Sequence, residues 1–246
     1  MEARKRVLGK EHPNTLTSIN NLAQSLTSLG KFEEAEGIHR QALALRKRVL
    51  GKEHPDTLTS MNNLALVLGS QGKYEEAEGI HRQTLELSES VLGKKHPSTL
   101  TSMNNLAEVL RSQGKHGEAK GIHRQTLDWR ESVLGKKHPD TLTSAAGLAS
   151  TCWNQDQWEE AEGLEVRVME TRKRILGAEH PDTLASMHNL AYTWKSQNRN
   201  EEAISLMKEC FELRNQVLGP EHPDTETSLK AVHKWESGEN EIEHSG

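Results

Sequence analysis

The stretch LGKEHPDTLTSMNNLALVLGSQGKYEEAEG, residues 50–79, runs from a linker into a helix pair that recurs along this chain. Its first motif, Leu-Gly-x-x-His-Pro, occurs at intervals of 42 residues with no insertion or deletion, beginning at Leu8, Leu50, Leu92, Leu134, Leu176 and Leu218. A constant period of this size is typical of arrays in which one supersecondary unit stacks on copies of itself. The sequence therefore predicts a long binding surface rather than a single cleft.

Each copy predicts two helices, A and B. Helix A of the second copy is expected from Thr57 to about Ser70, because apolar residues recur there at three- and four-residue steps. Asp56 is its expected N-cap, and helix B is expected from about Tyr74 to Val91. Residues 1–235 should form one solenoid with a half unit at each end, followed by an acidic, flexible tail at 236–246. The helix pairs are expected near 14–50, 56–92, 98–134, 140–176 and 182–218.

The order of residues within a copy carries a family resemblance. The pattern NLAxxLxxxGKYxxA at residues 63–77 resembles the tetratricopeptide signature. With the 42-residue period and the LGxxHPxTL linker, the closer resemblance is to the repeats of kinesin light chains, which also form C-terminal arrays in fungal NACHT or NB-ARC receptor-like proteins. The resemblance covers residues 1 to about 235. It implies an all-α fold, a right-handed superhelical solenoid of antiparallel helix pairs whose A helices line a concave groove.

Composition excludes some classes of partner and indicates the cellular compartment. A net charge of −5 argues against nucleic acid and anionic membranes as partners, because both require a concentrated positive field. Two cysteines, Cys152 and Cys210, are too few for a disulfide scaffold. The sequence has neither an apolar signal core at its start nor an apolar run long enough to span a membrane. A soluble, cytoplasmic protein is expected.

The beginning of the chain lies inside a repeat, since RKRVLG at residues 4–9 recurs at 46–51. Either a half unit caps the array, or the chain is a piece of a longer array, and we favour the second. The uncapped ends of such a piece are expected to self-associate by stacking.

The face of helix A opposite the buried residue Met61 is the expected binding surface. Equivalent asparagines on this face can hold the backbone of an extended peptide. The flanking position changes between copies and becomes cationic or aromatic in the third to fifth. The predicted peptide-binding residues are Asn21, Asn63, Asn105, Arg111, Trp153, Asn189, Tyr192 and Lys195.

Two alternatives stay open for these residues. The asparagine amides could instead bond to neighbouring helices within the repeat, and Trp153 could be wedged between repeats as part of the core. As binding residues, the cationic and aromatic side chains suit an acidic segment with an aromatic anchor. The resemblance to kinesin light chains implies the same kind of ligand.

Catalytic and metal sites are not expected. Six of the thirteen histidines occupy one place in the linker, so neighbouring copies lie about 10 Å apart, whereas zinc ligands lie about 2 Å from one ion. These rings are expected to fix the linker by packing or by a backbone hydrogen bond. No phosphate loop, nucleophile elbow or cysteine pair with metal spacing occurs. We expect no enzyme activity, no metal and no cofactor.

Two functions from different classes follow. The first is a protein–protein interaction module that binds a peptide or protein segment in the groove, as an adaptor or receptor sensor. The alternative is a structural or self-associating repeat region of a larger NACHT/NB-ARC-type receptor.

Overall fold

The computed structural model describes Gly9 and residues 11–237, in which eleven α-helices and no strand occur. The helices are α1 (Pro13–Ser28), α2 (Phe32–Val49), α3 (Pro55–Ser70), α4 (Tyr74–Leu92), α5 (Pro97–Ser112), α6 (His116–Leu134), α7 (Pro139–Trp153), α8 (Trp158–Leu176), α9 (Pro181–Ser196), α10 (Asn200–Leu218) and α11 (Pro223–Glu236). Odd-numbered helices are A helices and even-numbered ones are B helices. The predicted all-α repeat of helix pairs is confirmed.

The chain divides into two compact units between Val133 and Leu134. The N-terminal unit contains α1 to α6, and the C-terminal unit contains α7 to α11. Residues 1–8 and 10 of the predicted N-terminal half unit, and residues 238–246 of the predicted tail, lie outside the described residues.

Each A helix begins at the Pro of the linker motif, and the histidine before it is the N-cap. The Nδ1 atom of His54 accepts the N–H of Asp56 at 3.1 Å. The prediction of Asp56 as the N-cap is therefore wrong. Pro55 takes the first helical position because its ring fixes a helical φ and its missing N–H is not needed there. The equivalent bond measures 3.1–3.2 Å in all copies, at His12, His54, His96, His138, His180 and His222.

A tight turn joins each A helix to its B helix. Gly72 has φ +76°, and the N–H of Lys73 donates to the carbonyl of Leu68 at 2.9 Å. In the C-terminal unit the glycine position is taken by Asp156 (φ 56°) and Asn198 (φ 62°). Asp and Asn are the side chains that best tolerate this left-handed conformation. The turn thus survives the loss of glycine.

Small residues allow close approach of helices A and B. Ala65 and Ala77 are both 0% exposed, and Leu64 and Leu68 fill the space around them. In the C-terminal unit, Ala191 and Ala203 take the same places beside Met207.

Replacing Ala77 with tryptophan should lower the free energy of unfolding by about 2 kcal/mol, because the contact between α3 and α4 has no room for a large side chain. The measurement is the unfolding midpoint by circular dichroism. Ala44→Trp, at an exposed place on α2, is the matched control and should leave the midpoint nearly unchanged. Equal effects of the two variants would contradict the assignment of Ala77 to the helix contact.

A buried arginine near the end of a B helix holds the start of the next A helix. Nη1 of Arg46 donates to the carbonyl of Asp56 at 2.9 Å and to Oγ of Ser60 at 2.7 Å. In the C-terminal unit, Arg172 and Arg214 make the same pair of bonds to the next helix. The equivalent residue of α4 is Ser88, whose buried Oγ has no hydrogen-bond partner among the described residues.

Ion pairs connect successive B helices along their outer side. In the N-terminal unit, Glu36 pairs with Lys73 and Arg40, and Arg40 also pairs with Glu76. The hydrogen bond from Lys73 is the largest cause that lowers the pKa of Glu36 to about 2. The arrangement recurs one copy later around Glu78, whose pKa is also lowered to about 2, with the hydrogen bond from Lys115 as the largest cause.

No helix of the described chain is long and apolar enough to cross a membrane.

Candidate peptide-binding surface

The asparagines predicted to bind a peptide in the N-terminal unit have three different environments. Asn21 is exposed on α1. Asn63 is half-buried, and its Nδ2 donates to Oδ1 of Asn20 at 3.1 Å. Asn105 is half-buried on α5 and lines a cavity between α3 and α5. The open alternative, an amide bonded to a neighbouring helix, thus describes Asn63, while Asn21 presents its amide to solvent.

Arg111 lies beside an acidic residue of its own helix. Its Nε and Nη2 atoms lie 3.0 Å from Oε2 of Glu108. The Arg111 charge is therefore largely balanced within α5. This part of the A-helix face does not offer an uncompensated cation to an acidic ligand.

Asn62, next to Asn63, links three helices of the N-terminal unit. Oγ of Ser102 on α5 donates to the carbonyl of Ser98, so it accepts from Nδ2 of Asn62 at 2.9 Å. The amide oxygen of Asn62 then lies 3.2 Å from Nδ1 of His81 on α4 and accepts its proton. Burial lowers the pKa of His81 to about 4, so the ring is neutral near pH 7 with its lone pair on Nε2.

Trp153 lies at the end of α7 in the C-terminal unit and is 37% exposed. Its Nε1 donates to Oγ of Ser196 at 3.2 Å, and Ser196 in turn donates to the carbonyl of Tyr192 at 3.1 Å. One polar edge of the indole is thus fixed to α9 while part of the ring remains in solvent. Asn189, one turn before Tyr192, is exposed.

An aromatic cluster surrounds Tyr192. Its ring centroid lies 4.9 Å from that of His188 and 5.0 Å from that of Trp235, which meets it edge-on. Burial lowers the pKa of His188 to about 4, and Arg214 adds to this shift. Nζ of Lys195 lies 5.8 Å from the Trp235 centroid and donates to Oδ1 of Asn200 at 2.8 Å. The structure thus groups Tyr192 and Lys195 around Trp235, within the C-terminal unit.

Sequence reasoning missed Trp235 and Ser196 as supports of this cluster. Trp235 occupies the helix A place of Val67, four repeats later, and is 8% exposed. A tryptophan at a buried aliphatic position was the available signal. Ser196 gave none, because serine is common at the ends of the A helices.

The six linker histidines have a structural place, as expected, because the ring of each accepts a backbone N–H. Among the described residues no group of three or more His, Cys, Asp or Glu side chains could hold a metal ion. Cys152 and Cys210 are buried and form no disulfide.

Comparison with known proteins identifies the repeat. One family profile, described as tetratricopeptide repeat, matches residues 1–48, 18–90, 59–131 and 104–173, and a second of the same description matches 183–224. The comparison with curated proteins gives no match.

Solved structures share the fold. The crystal structure of a Podosopora anserina putative kinesin light chain, with nearly identical TPR-like repeats, is 29% identical at a TM-score of 0.68, covering 83% of this chain and 97% of that one. BtubC (BKLC) from P. vanneervenii is 20% identical at a TM-score of 0.71, covering 90% and 89%. NprR in complex with its cognate peptide NprX is 14% identical at a TM-score of 0.72, covering 98% and 67%. This chain belongs to the tetratricopeptide repeat family, and its repeats are similar to those of kinesin light chains.

Proposed function

We propose that this chain is a non-enzymatic, cytoplasmic module of protein–protein interaction, which binds a peptide or protein segment on the exposed faces of its A helices. Its family supports an interaction role, and NprR, which has the same fold, has been solved with a bound peptide. Two buried, unbridged cysteines agree with a reducing compartment. An adaptor or receptor-sensor role would use this surface.

The observation that carries the proposal is the environment of Lys195. Within the described chain its ammonium group contacts a neutral amide and an aromatic ring but no carboxylate. On the A helices, by contrast, Arg111 lies against Glu108 and Lys230 lies against Glu226. Lys195 therefore retains a charge that an acidic ligand residue can neutralise.

The neighbours of Lys195 favour an aromatic residue in the same ligand. Trp153 and Tyr192 belong to neighbouring A helices and are joined through Ser196. The half-exposed Trp153 indole offers an apolar face held in a fixed orientation, which is how aromatic side chains contribute most to binding. An acidic segment with an aromatic anchor is the ligand we propose for the C-terminal unit.

Self-association by end-on stacking at α11 has less support than peptide binding. Glu226, His233 and Glu236 of this helix are exposed and replace Leu58, Ala65 and Leu68 of α3. Those three residues of α3 are buried. The corresponding face of α11 is polar, so a further helix would gain little by packing on it.

A selection from a phage library of random twelve-residue peptides on the immobilised chain tests the proposal. We expect enrichment of peptides with acidic and aromatic residues. The Lys195→Glu variant should bind these peptides about tenfold more weakly, because the half-exposed side chain then repels an acidic peptide residue instead of attracting it. Lys173→Glu on α8 is the matched control, since Lys173 lies opposite Glu209 on the B helices. No enrichment, or equal losses in both variants, would contradict the proposal.

A further inference from the structure

A cavity of about 250 Å³ opens between α3 and α5 of the N-terminal unit. It exists because Gly69 has no side chain, whereas Thr27, Arg111, Trp153 and Lys195 occupy the equivalent place in other copies. A Cβ atom at Gly69 would lie 3.6 Å from Cγ2 of Val109, an ordinary contact. The fold therefore tolerates a side chain at this place, and its absence leaves the cavity open.

Part of the cavity lining is apolar. Ala65, Leu66 and Tyr74 line it together with Val109. Leu66 is 43% exposed, which is high for a leucine on the array. Such a wall suits the hydrocarbon part of a ligand side chain.

Two serines in the lining present hydrogen-bond acceptors. Ser70 uses its hydroxyl proton on the carbonyl of Leu66 at 3.1 Å, and Ser112 uses its own on the carbonyl of Glu108 at 3.1 Å. Each oxygen therefore turns lone pairs, rather than a proton, toward a ligand. Both serines line the cavity.

Glu108 is the one charged residue among those that line the cavity in the described chain. Its Oε2 is engaged by Arg111, while Oε1 lies 3.4 Å from Nε2 of the buried His123, which has no hydrogen-bond partner in the described residues. Oε1 therefore has acceptor capacity left. The His81 ring, with its lone pair on Nε2, adds another acceptor-type group to the lining.

We infer that this cavity is a subsite for a basic side chain, arginine above all, of the peptide bound by the N-terminal unit. The inference rests on the proposed function and adds a second chemical requirement to the ligand. The methylene stem lies along Leu66 and Val109, and the guanidinium group donates to Glu108, Ser70 and Ser112. Arginine is preferred because its five N–H groups form a planar fork that matches a carboxylate and nearby hydroxyls.

Two-dimensional ¹H–¹⁵N NMR titration of the whole chain with N-acetyl-arginine methylamide tests the inference. We expect saturable shifts at Gly69, Asn105 and Glu108, with a dissociation constant on the order of 1 mM for so small a probe. The citrulline analogue has the same shape without the charge and should bind at least about fivefold more weakly, since it loses the ionic contact with Glu108.

Four variants locate the contact. Gly69→Trp should abolish the shifts by filling the cavity, whereas Gly79→Trp, on an open face of α4, should preserve them. Glu108→Gln should weaken binding about as much as citrulline does. Arg111→Met should tighten it, because the competing cation on Glu108 is removed.

Absent or non-saturable shifts at the cavity, or equal affinity for the citrulline probe, would overturn the subsite. Weaker binding by Arg111→Met would do the same. The peptide selection is a separate readout. Binding of the arginine probe without any selected peptide would retain the subsite and refute the proposed function. Selected peptides without a preference for a basic residue would retain the proposed function and refute the subsite.

Discussion

Lowering the pH from 7 to 4 is expected to unfold the N-terminal unit before the C-terminal unit. The B helices of the N-terminal unit bury His39, His81 and His123 at equivalent positions. Burial is the largest cause that lowers the pKa of all three, to about 4 for His81 and His123. Arg46 beside His39, and Arg111 and Arg130 beside His123, add to the shift, while Glu108 opposes it at His123.

The sign follows from proton uptake. Between about pH 6.5, the ordinary pKa of histidine, and pH 4 the unfolded chain binds protons that the folded chain excludes, so acid favours unfolding. A shift of this size corresponds to about 3 kcal/mol at pH 4 for each of His81 and His123. Well above pH 6.5 the rings are neutral in both the folded and the unfolded chain, so they do not make the free energy of unfolding depend on pH.

The C-terminal unit has a compensating group. Glu165 replaces histidine at the equivalent place of α8, and burial raises its pKa to about 7, with Glu162 contributing and Thr193 opposing. A carboxyl group with a raised pKa stabilises the folded chain below about pH 4.5 and loses that contribution as the pH rises through 7. On acidification Glu165 therefore offsets His188, whose lowered pKa acts like that of His81.

Hydrogen exchange read by mass spectrometry, corrected for the intrinsic rate at each pH, measures the two units separately. The double variant His81→Leu, His123→Leu should flatten the pH dependence of the N-terminal unit and leave the C-terminal unit unchanged. A parallel loss of protection in both units, or an unaltered pH profile in the variant, would contradict this account.

Replacing Arg46 with alanine should lower the free energy of unfolding of the N-terminal unit by about 3 kcal/mol. The substitution removes two hydrogen bonds from a charged donor and leaves the buried Ser60 hydroxyl and the Asp56 carbonyl without that partner. It also frees the linker that positions His54 as the N-cap of α3.

The chain contains its own control for Arg46. Ser88 lies 42 residues later at the same place of α4, and its buried hydroxyl has no partner in the described residues. Ser88→Ala should therefore change the free energy of unfolding by less than about 0.5 kcal/mol. Urea unfolding followed by circular dichroism measures both, and a loss for Arg46→Ala no larger than that for Ser88→Ala would refute the role of the arginine.

Periodicity predicted the helices well because the spacing of Leu58, Met61, Leu64 and Leu68 reports which side of the helix is buried. The N-cap was misassigned because aspartate is one of the residue types most common at N-caps. The choice between His54 and Asp56 depends on the position of Pro55 in the first turn. Local propensity cannot resolve a shift of two residues when both side chains accept hydrogen bonds.

The candidate surface was harder to predict because it depends on contacts between copies. Helix geometry placed Arg111 beside the expected face, but its pairing with Glu108 is a matter of side-chain rotamers. The link from Trp153 to Ser196 spans 43 residues and has no local signature. The cavity at Gly69 needed the neighbouring α5 to supply its second wall.

Hydrogen exchange of the whole chain with and without a selected peptide tests the central claim most directly, since it resolves A helices from B helices. We predict slower exchange in α9 and the end of α7, where Lys195, Tyr192 and Trp153 lie, with B helices such as α8 and α10 unchanged. Protection confined to the B helices, or to the linkers between copies, would place the binding surface elsewhere and contradict the account.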